Sequence, residues 1–187
     1  FIHLLLVMVS MTLLLPVAAA AQTGGEINAT TQEGWNIKCT ITEEANKTCA
    51  LTSVELYVHG HFTIPAQVDG YTITDIDNRV FQYRVNMTSV SIPEGVTNIG
   101  DWAFFGCSVL QSVELPSSLK SIGNYSFHQC KSLETIEIPD GVTSLGASVF
   151  SYCDNLRSAS IPGSVESMGN NLFSYCENLQ SVTIGEG

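Results

Sequence analysis

The segment Leu110–Leu133 reads LQSVELPSSLKSIGNYSFHQCKSL, and its parts recur along the chain at a fixed step. Pro116 has counterparts at Pro93, Pro139 and Pro162, each 23 residues from the next, and one further step falls on Gly185. Phe127 shares its column with Phe81, Phe104, Phe150 and Phe173, and Cys130 with Cys107, Cys153 and Cys176. Ile122 lines up with Ile76, Ile99, Leu145 and Met168; Leu110 and Leu133 line up with Met87, Leu156 and Leu179. Columns this numerous, all in one register, mark a repeat protein before any element is assigned.

One unit has a physical reading of its own. Leu110, Val113 and Leu115 fit L-x-x-L-x-L, with Val113 and Leu115 on one face of a strand at period two. Pro116 ends that strand because it has no N–H to donate to a ladder. Leu119 and Ile122 turn back inward, and Gly123 is expected to supply a permissive backbone corner. The spacing of Phe127 and Cys130 predicts one turn of helix or 3-10 structure before Leu133 opens the next unit. A single unit cannot enclose its own apolar face, so stability comes from stacking neighbours.

The units resemble the BspA-like class of leucine-rich repeat found in surface proteins of bacteria and some protists. The matching pattern is I-P-x-G-V-x-x-I-G-x-x-x-F-x-x-C-x-x-L-x-x-V, met here from Ile92-Pro93-Glu94-Gly95-Val96 through Ile99-Gly100, Phe104, Cys107, Leu110 and Val113. The Asn ladder of commoner leucine-rich repeats is missing from its usual corner, which holds Gly95, Ser118, Gly141 and Ser164. The first unit is irregular: Pro65 and Pro93 are 28 apart, with five extra residues near Asp69-Gly70-Tyr71, and Arg84 replaces the Cys. The resemblance implies a curved solenoid exposed outside the cell, with roles in attachment to host proteins, other cells or surfaces. The expected fold is thus a β-rich leucine-rich-repeat solenoid over 62–187. Parallel strands occupy one face and short helical or 3-10 turns the other, and an N-terminal β-hairpin caps residues 35–61.

Before the repeats, residues 1–21 are almost continuously apolar and uncharged, ending in Pro16-Val17-Ala18-Ala19-Ala20-Ala21. Small residues at A-x-A spacing after such a run read as a secretory signal peptide, the alternative being a retained membrane anchor. The chain starts at Phe1 without Met or a basic n-region and stops partway into another unit, so a longer natural protein is expected. Residues 22–34, polar and rich in Thr and Gly, are expected to form a flexible leader. With 18 acidic residues against 7 basic ones the net charge is -11. That balance repels phosphate backbones and anionic lipid, which argues against nucleic-acid binding and against membrane binding by the mature repeats.

Cysteines fall into two groups. Cys39 and Cys49 flank the proposed hairpin turn and are expected to form a disulfide, the alternative being two separately buried thiols. The four cysteines of the repeat point inward as stacked small hydrophobes, with side-chain vectors too parallel for bridging. A straight ladder does not converge on one point, so no zinc site is expected. His59-Gly60-His61 near Glu55 reads as an exposed strand end rather than a metal clip. Asp75 and Asp77 read as solvated turn residues rather than calcium ligands. No cofactor and no catalytic motif are implied. Sequons stand at Asn28, Asn46, Asn86 and Asn124, relevant only to a eukaryotic source.

Strand alternation defines two outward columns. One holds Ser89, Ser112, Thr135, Ser158 and Ser181, the other Ser91, Glu114, Glu137, Ser160 and Thr183. Together they make a hydroxyl-rich face with an acidic middle, either a contact surface for an extracellular protein or glycan or simply a solubilising one. Tyr83, Tyr152 and Tyr175 form a second candidate patch. The expected function is adhesion or recognition by a secreted or cell-surface protein, not catalysis. The alternatives are an accessory module of a larger extracellular enzyme and a structural spacer.

Overall fold

The computed structural model describes residues 24–55 and 57–186, all of them in strands, turns and irregular segments with no helix among them. The expected signal peptide over 1–21 lies outside the described residues. Chain order is β1 (Glu26–Thr30), β2 (Asn36–Glu43), β3 (Thr48–Val54), β4 (His59–Thr63) and β5 (Gln67–Val68). Then follow β6 (Tyr71–Ile76), β7 (Asn86–Ser91), β8 (Asn98–Ile99), β9 (Ser112–Glu114) and β10 (Ser121–Ile122). The last five are β11 (Thr135–Glu137), β12 (Ser144–Leu145), β13 (Ser158–Ile161), β14 (Ser167–Met168) and β15 (Ser181–Ile184).

Each 23-residue unit contributes one rung with two strands. The L-x-x-L-x-L strands line one side as parallel sheets β4-β7-β9 and β11-β13-β15. The second strand of each rung joins a longer sheet on another side, ordered β1-β2-β3-β6-β8-β10-β12-β14 with β5 paired to β6. That sheet changes character along its length: β1, β2 and β3 pair antiparallel, whereas β3 onward pairs parallel. The antiparallel part is the cap, and β6 docks on β3 so that the first rung is covered by hydrogen-bonded backbone instead of water.

The cap therefore has three strands rather than the two of a hairpin. Glu26–Thr30, within the segment expected to be a flexible leader, alternates around a buried Ile27 and pairs with β2 in register. Its polar, Thr-containing composition hid a period-two pattern that only one large apolar residue carries. At the other end of the cap, β4 pairs parallel with β7, so His59–Thr63 belongs to the first rung. The five inserted residues form a small hairpin of their own. Asp69 and Gly70, both at positive φ, make the two-residue turn between β5 and β6, the geometry such short hairpins require. Tyr71, just after that turn, donates its hydroxyl to Glu44 at 2.7 Å and lies under the Lys47 ammonium, clamping the insertion to the β2–β3 turn.

The turn side of each rung departs from the expected helical or 3-10 segment. From Trp102 to Gly106, alternate N–H groups leave the rung: Trp102, Phe104 and Gly106 donate to Asn124, Ser126 and His128 carbonyls at 2.8–2.9 Å. Between them Phe105 and Cys107 donate backward to Trp102 and Phe104, at 3.1 and 3.3 Å. Trp102 and Gly106 sit at φ of 54° and 71°, which no right-handed helix tolerates. The same pair of left-handed positions recurs at Tyr125 and Gln129, Ser148 and Tyr152, and Asn171 and Tyr175. A helix would spend every donor within its own turn; here half are used to bind the next rung.

The core is a column of rings. Phe81, Phe104, Phe127 and Phe150 are fully buried, and successive centroids lie 4.7, 4.9 and 5.7 Å apart with planes within 10°. Phe173 continues the stack at 5.6 Å, and Phe62 closes its other end edge-on to Phe81 at 5.4 Å. The repeat cysteines stand beside this spine. Cys107, Cys130, Cys153 and Cys176 direct their thiols at the carbonyls of Phe81, Phe104, Phe127 and Phe150, at 3.0–3.3 Å. Each thiol gives a buried carbonyl one rung back a donor that an alanine would not, which explains why this column is Cys rather than another small apolar residue. In the first rung Arg84 replaces Cys and reaches further, donating to the Val54 carbonyl of the cap at 2.9 Å.

Gly123 serves clearance rather than a permissive corner. Its φ is not left-handed, but a Cβ there would come within 2.6–2.8 Å of Asp101 and Gly100 in the preceding rung. Gly100, Gly146 and Gly169 are confined in the same way. Beside this column runs a side-chain ladder. Asn78 accepts from the Asp101 N–H, Asp101 from the Asn124 N–H, and Asn124 from the Ala147 N–H, at 2.7–2.8 Å. Ala147 has no oxygen to continue it.

Candidate recognition surfaces

Three exposed regions gather polar or aromatic side chains: the strand face, the ring-bearing turn side, and the groove along the Gly column. On the strand face the two expected columns come together in register. Ser89 lies opposite Ser112 and Ser91 opposite Glu114; Thr135, Ser158 and Ser181 follow one another, as do Glu137, Ser160 and Thr183. Inward partners Val90, Ile136, Ala159 and Ile161 are buried, so alternation on these strands separates core from surface as expected.

The face extends one strand beyond the columns read from sequence. In β4, His61 pairs with Ser89, and its Nδ1 is 2.8 Å from the Ser89 Oγ. Its Nε2 is 3.2 Å from the Thr63 hydroxyl, and Ser91 donates to Glu114 at 2.5 Å. The sequence marks His61 only as a strand end, because its unit is the irregular one and no period-23 column leads to it. The group contains Ser, His and Glu, yet the carboxylate holds a serine instead of orienting the imidazole. That order builds a surface network, whereas activation of a serine needs the carboxylate on the imidazole.

The turn side is different in chemistry. Tyr83, Tyr152 and Tyr175 are exposed, as the second candidate patch required, and Tyr152 stacks on Tyr175 at 4.5 Å. Other rings accompany them. Trp102 stacks on Tyr125 at 5.6 Å with the Arg79 guanidinium over its outer face at 4.7 Å, and Phe105 stacks on His128 at 5.0 Å. Tyr83 crosses edge-on to Phe105, lying so close to the backbone of Gly106 that a Cβ there would be 2.6 Å from its ring. Trp, Tyr and Arg are the residues that dominate binding energy at protein surfaces. The columns holding them mix residue types from rung to rung, so a search for repeated identities passes over them.

The cysteines are structural in their surroundings. Burial pushes the Cys107 thiol up to about 12 and raises Cys130 and Cys153 as well. Cys176, only half-buried, is raised for the same reason. Cys39 and Cys49 are both buried free thiols. Strand pairing sets Cys39 opposite Leu51 and Cys49 opposite Ile41, so the two are diagonal neighbours on one face. Their side chains are in hydrogen-bond contact, which raises Cys39. Among the described residues no group of three or more His, Cys, Asp or Glu is arranged to hold a metal ion.

A rung of two short parallel strands, a proline corner, a buried Phe and an inward Cys, stacked without helices, defines a leucine-rich-repeat solenoid. Residues 74–187 match the family model described as BspA type leucine rich repeat region, in 6 copies, and the chain belongs to that family. It is similar to the solved leucine-rich-repeat protein of T. pallidum, with 29% identity and a TM-score of 0.70 over 83% of this chain and 67% of that one. A leucine-rich-repeat protein of Bacteroides ovatus is also 29% identical, with a TM-score of 0.59 over 78% of this chain and 45% of that one. A leucine rich cell surface protein of Faecalibacterium prausnitzii gives 29% identity and a TM-score of 0.51, over 84% of this chain and 54% of that one. The chain thus spans about half the length of the last two. A comparison with curated proteins finds no match.

Proposed function

We propose that this chain is a secreted or cell-surface recognition module that binds an extracellular protein or glycan and performs no catalysis of its own. The observation that carries the reading is the stacked surface itself. Period-23 stacking brings residues far apart in sequence side by side on two three-stranded sheets, so one partner can meet several rungs at once. Many weak contacts made together give an affinity that no single rung provides. The BspA-type repeat supports this, as does the likeness to a bacterial cell-surface protein of the same build. The apolar run at 1–21 supports export.

The test is a binding screen of residues 22–187 against immobilised extracellular-matrix proteins, a glycan array and intact cells. Saturable binding that weakens when Glu114 and Glu137 are changed to Arg supports the strand face as the contact. Saturable binding to none of these targets refutes the reading.

A further inference from the structure

On the turn side, two columns change size partway along the solenoid. Trp102 and Tyr125 give way to Ser148 and Asn171 at the equivalent positions, and Phe105 and His128 give way to Ser151 and Ser174. The neighbouring column does the reverse, carrying Gly106 and Gln129 and then Tyr152 and Tyr175. Where the rings stop in the first two columns, a notch of about 330 Å³ opens. It is lined by His128, by the stacked rings of Tyr152 and Tyr175, and by Ser148, Ser151, Asn171 and Ser174, with the Ser151 hydroxyl donating to the Asn171 carbonyl.

We propose that this notch is a carbohydrate subsite that takes one neutral hexose unit of a glycan. The inference rests on the recognition reading above and names a ligand class and a place for it. Three observations support the choice. No lining side chain carries a full charge at neutral pH: burial pulls the His128 imidazole below its ordinary value of 6.5, leaving it uncharged. A hexose presents a ring of hydroxyls around a face of C–H bonds, and the notch offers hydroxyl and amide groups beside aromatic rings whose negative faces attract such C–H bonds. The volume is at the small end of ligand sites, enough for one sugar ring rather than a buried oligosaccharide. A net charge of -11 turns away sialylated or sulfated sugars. A hydrophobic side chain from a protein partner would bury its apolar surface against the Ser174 hydroxyl and the Asn171 amide, an unfavourable match.

The experiment is saturation-transfer NMR of residues 22–187 with methyl glycosides of glucose, galactose, mannose and N-acetylglucosamine, followed by a neutral-glycan array. Two variants accompany it. Ser148→Tyr fills the notch with the residue that its column already holds at Tyr125, at nearly the same φ, and Asn171→Ala removes the amide from its wall. Unchanged circular dichroism and thermal midpoint qualify each variant as folded. The expected result is transfer to at least one glycoside, reduced tenfold or more by Ser148→Tyr and several-fold by Asn171→Ala, and unaffected by Glu26→Gln on the exposed face of β1 in the cap. Transfer that survives both variants overturns the subsite. So does binding of a protein or peptide with no response to any neutral sugar; in both cases the recognition reading stands. Absence of binding to every sugar, protein and cell tested overturns both.

Discussion

Phe127→Ala should be the most damaging single truncation that removes no hydrogen-bonding group. The ring is fully buried between Phe104 at 4.9 Å and Phe150 at 5.7 Å, with both neighbours nearly parallel to it. Cutting a buried Phe to Ala costs about 3–5 kcal/mol, and the upper half applies where the surroundings cannot collapse into the gap. They cannot here: the backbones on either side are fixed by Phe127 N–H to Val149 O at 3.0 Å and Phe104 N–H to Ser126 O at 2.8 Å. Two ring contacts are lost as well, each worth about 0.5–1.5 kcal/mol beyond area, part of which the truncation figure already contains. A loss of about 4–5 kcal/mol follows, or roughly 8–20 °C in the thermal midpoint for a chain of this size. Phe173→Ala is the internal comparison, since that ring is only half-buried and stacks on Phe150 alone. Differential scanning calorimetry and urea titration on both variants measure the contrast. Equal losses at the two positions, or a midpoint for Phe127→Ala unchanged within error, would refute the argument that the ring column is the main support of the solenoid.

Ala147→Asn restores the missing member of the Asn78–Asp101–Asn124 ladder and should stabilise by about 0.5–1 kcal/mol in urea titration, a rare gain from a polar substitution. Native-state alkylation near pH 8 should modify Cys176 well before Cys107, Cys130 or Cys153, because only Cys176 is half-open while burial holds the other three as thiols. Equal rates by peptide mass mapping would contradict that packing. Hydrogen bonds from the Ser117 backbone, then from the Ser117 and Ser118 hydroxyl and amide groups, hold the exposed Glu94 carboxyl below its ordinary value of 4.5. Its folded value being lowered, its contribution is present above about pH 4.5 and disappears as pH falls through the folded value. Wild type should therefore exceed Glu94→Gln in thermal midpoint at neutral pH, with the gap closing as pH falls below 4.5 through the lowered folded value.

What was legible in the sequence follows from how each feature repeats. Phe127 and Cys130 recur by identity, so the spine, its inward thiols and the solenoid itself could be read directly, as could the outward strand columns. The Asn78–Asp101–Asn124 ladder was missed because Asn and Asp share one role, both offering a side-chain oxygen to the next backbone N–H. Its absence from the corner at Gly95 and Ser118 was read correctly. There Ser118 does part of the same work, accepting from the Gly95 N–H at 3.0 Å and donating to the Val96 carbonyl at 2.8 Å. The turn segments misled for a different reason. A three-residue interval between Phe and Cys fits a helical turn, but it fits equally a run in which alternate N–H groups bond the neighbouring rung. Only the left-handed φ at Trp102 and Gly106 separates the two, and bulky residues there give no warning of it. β1 escaped because Ile27 alone carries its alternation, and the notch at Ser148 and Ser151 because an opening is made by what two columns lack.

The thiol that reaches one rung back also has a bearing on inheritance. Cys-to-Phe bonds span 26 positions and ladder bonds span 23, and both sets recur at the same 23-residue step. A recombination event that duplicates or deletes 23 codons within 93–184 leaves each ring on a ring, each thiol on a carbonyl and each glycine against a bare backbone. One that changes the number by anything but a whole multiple of 23 misplaces all three at once. The first rung is outside this freedom: Arg84 and the Asp69-Gly70 hairpin fasten it to the cap by contacts that no later rung reproduces. Descendants of such a gene can therefore vary in reach, in whole steps, while one end keeps a fixed design.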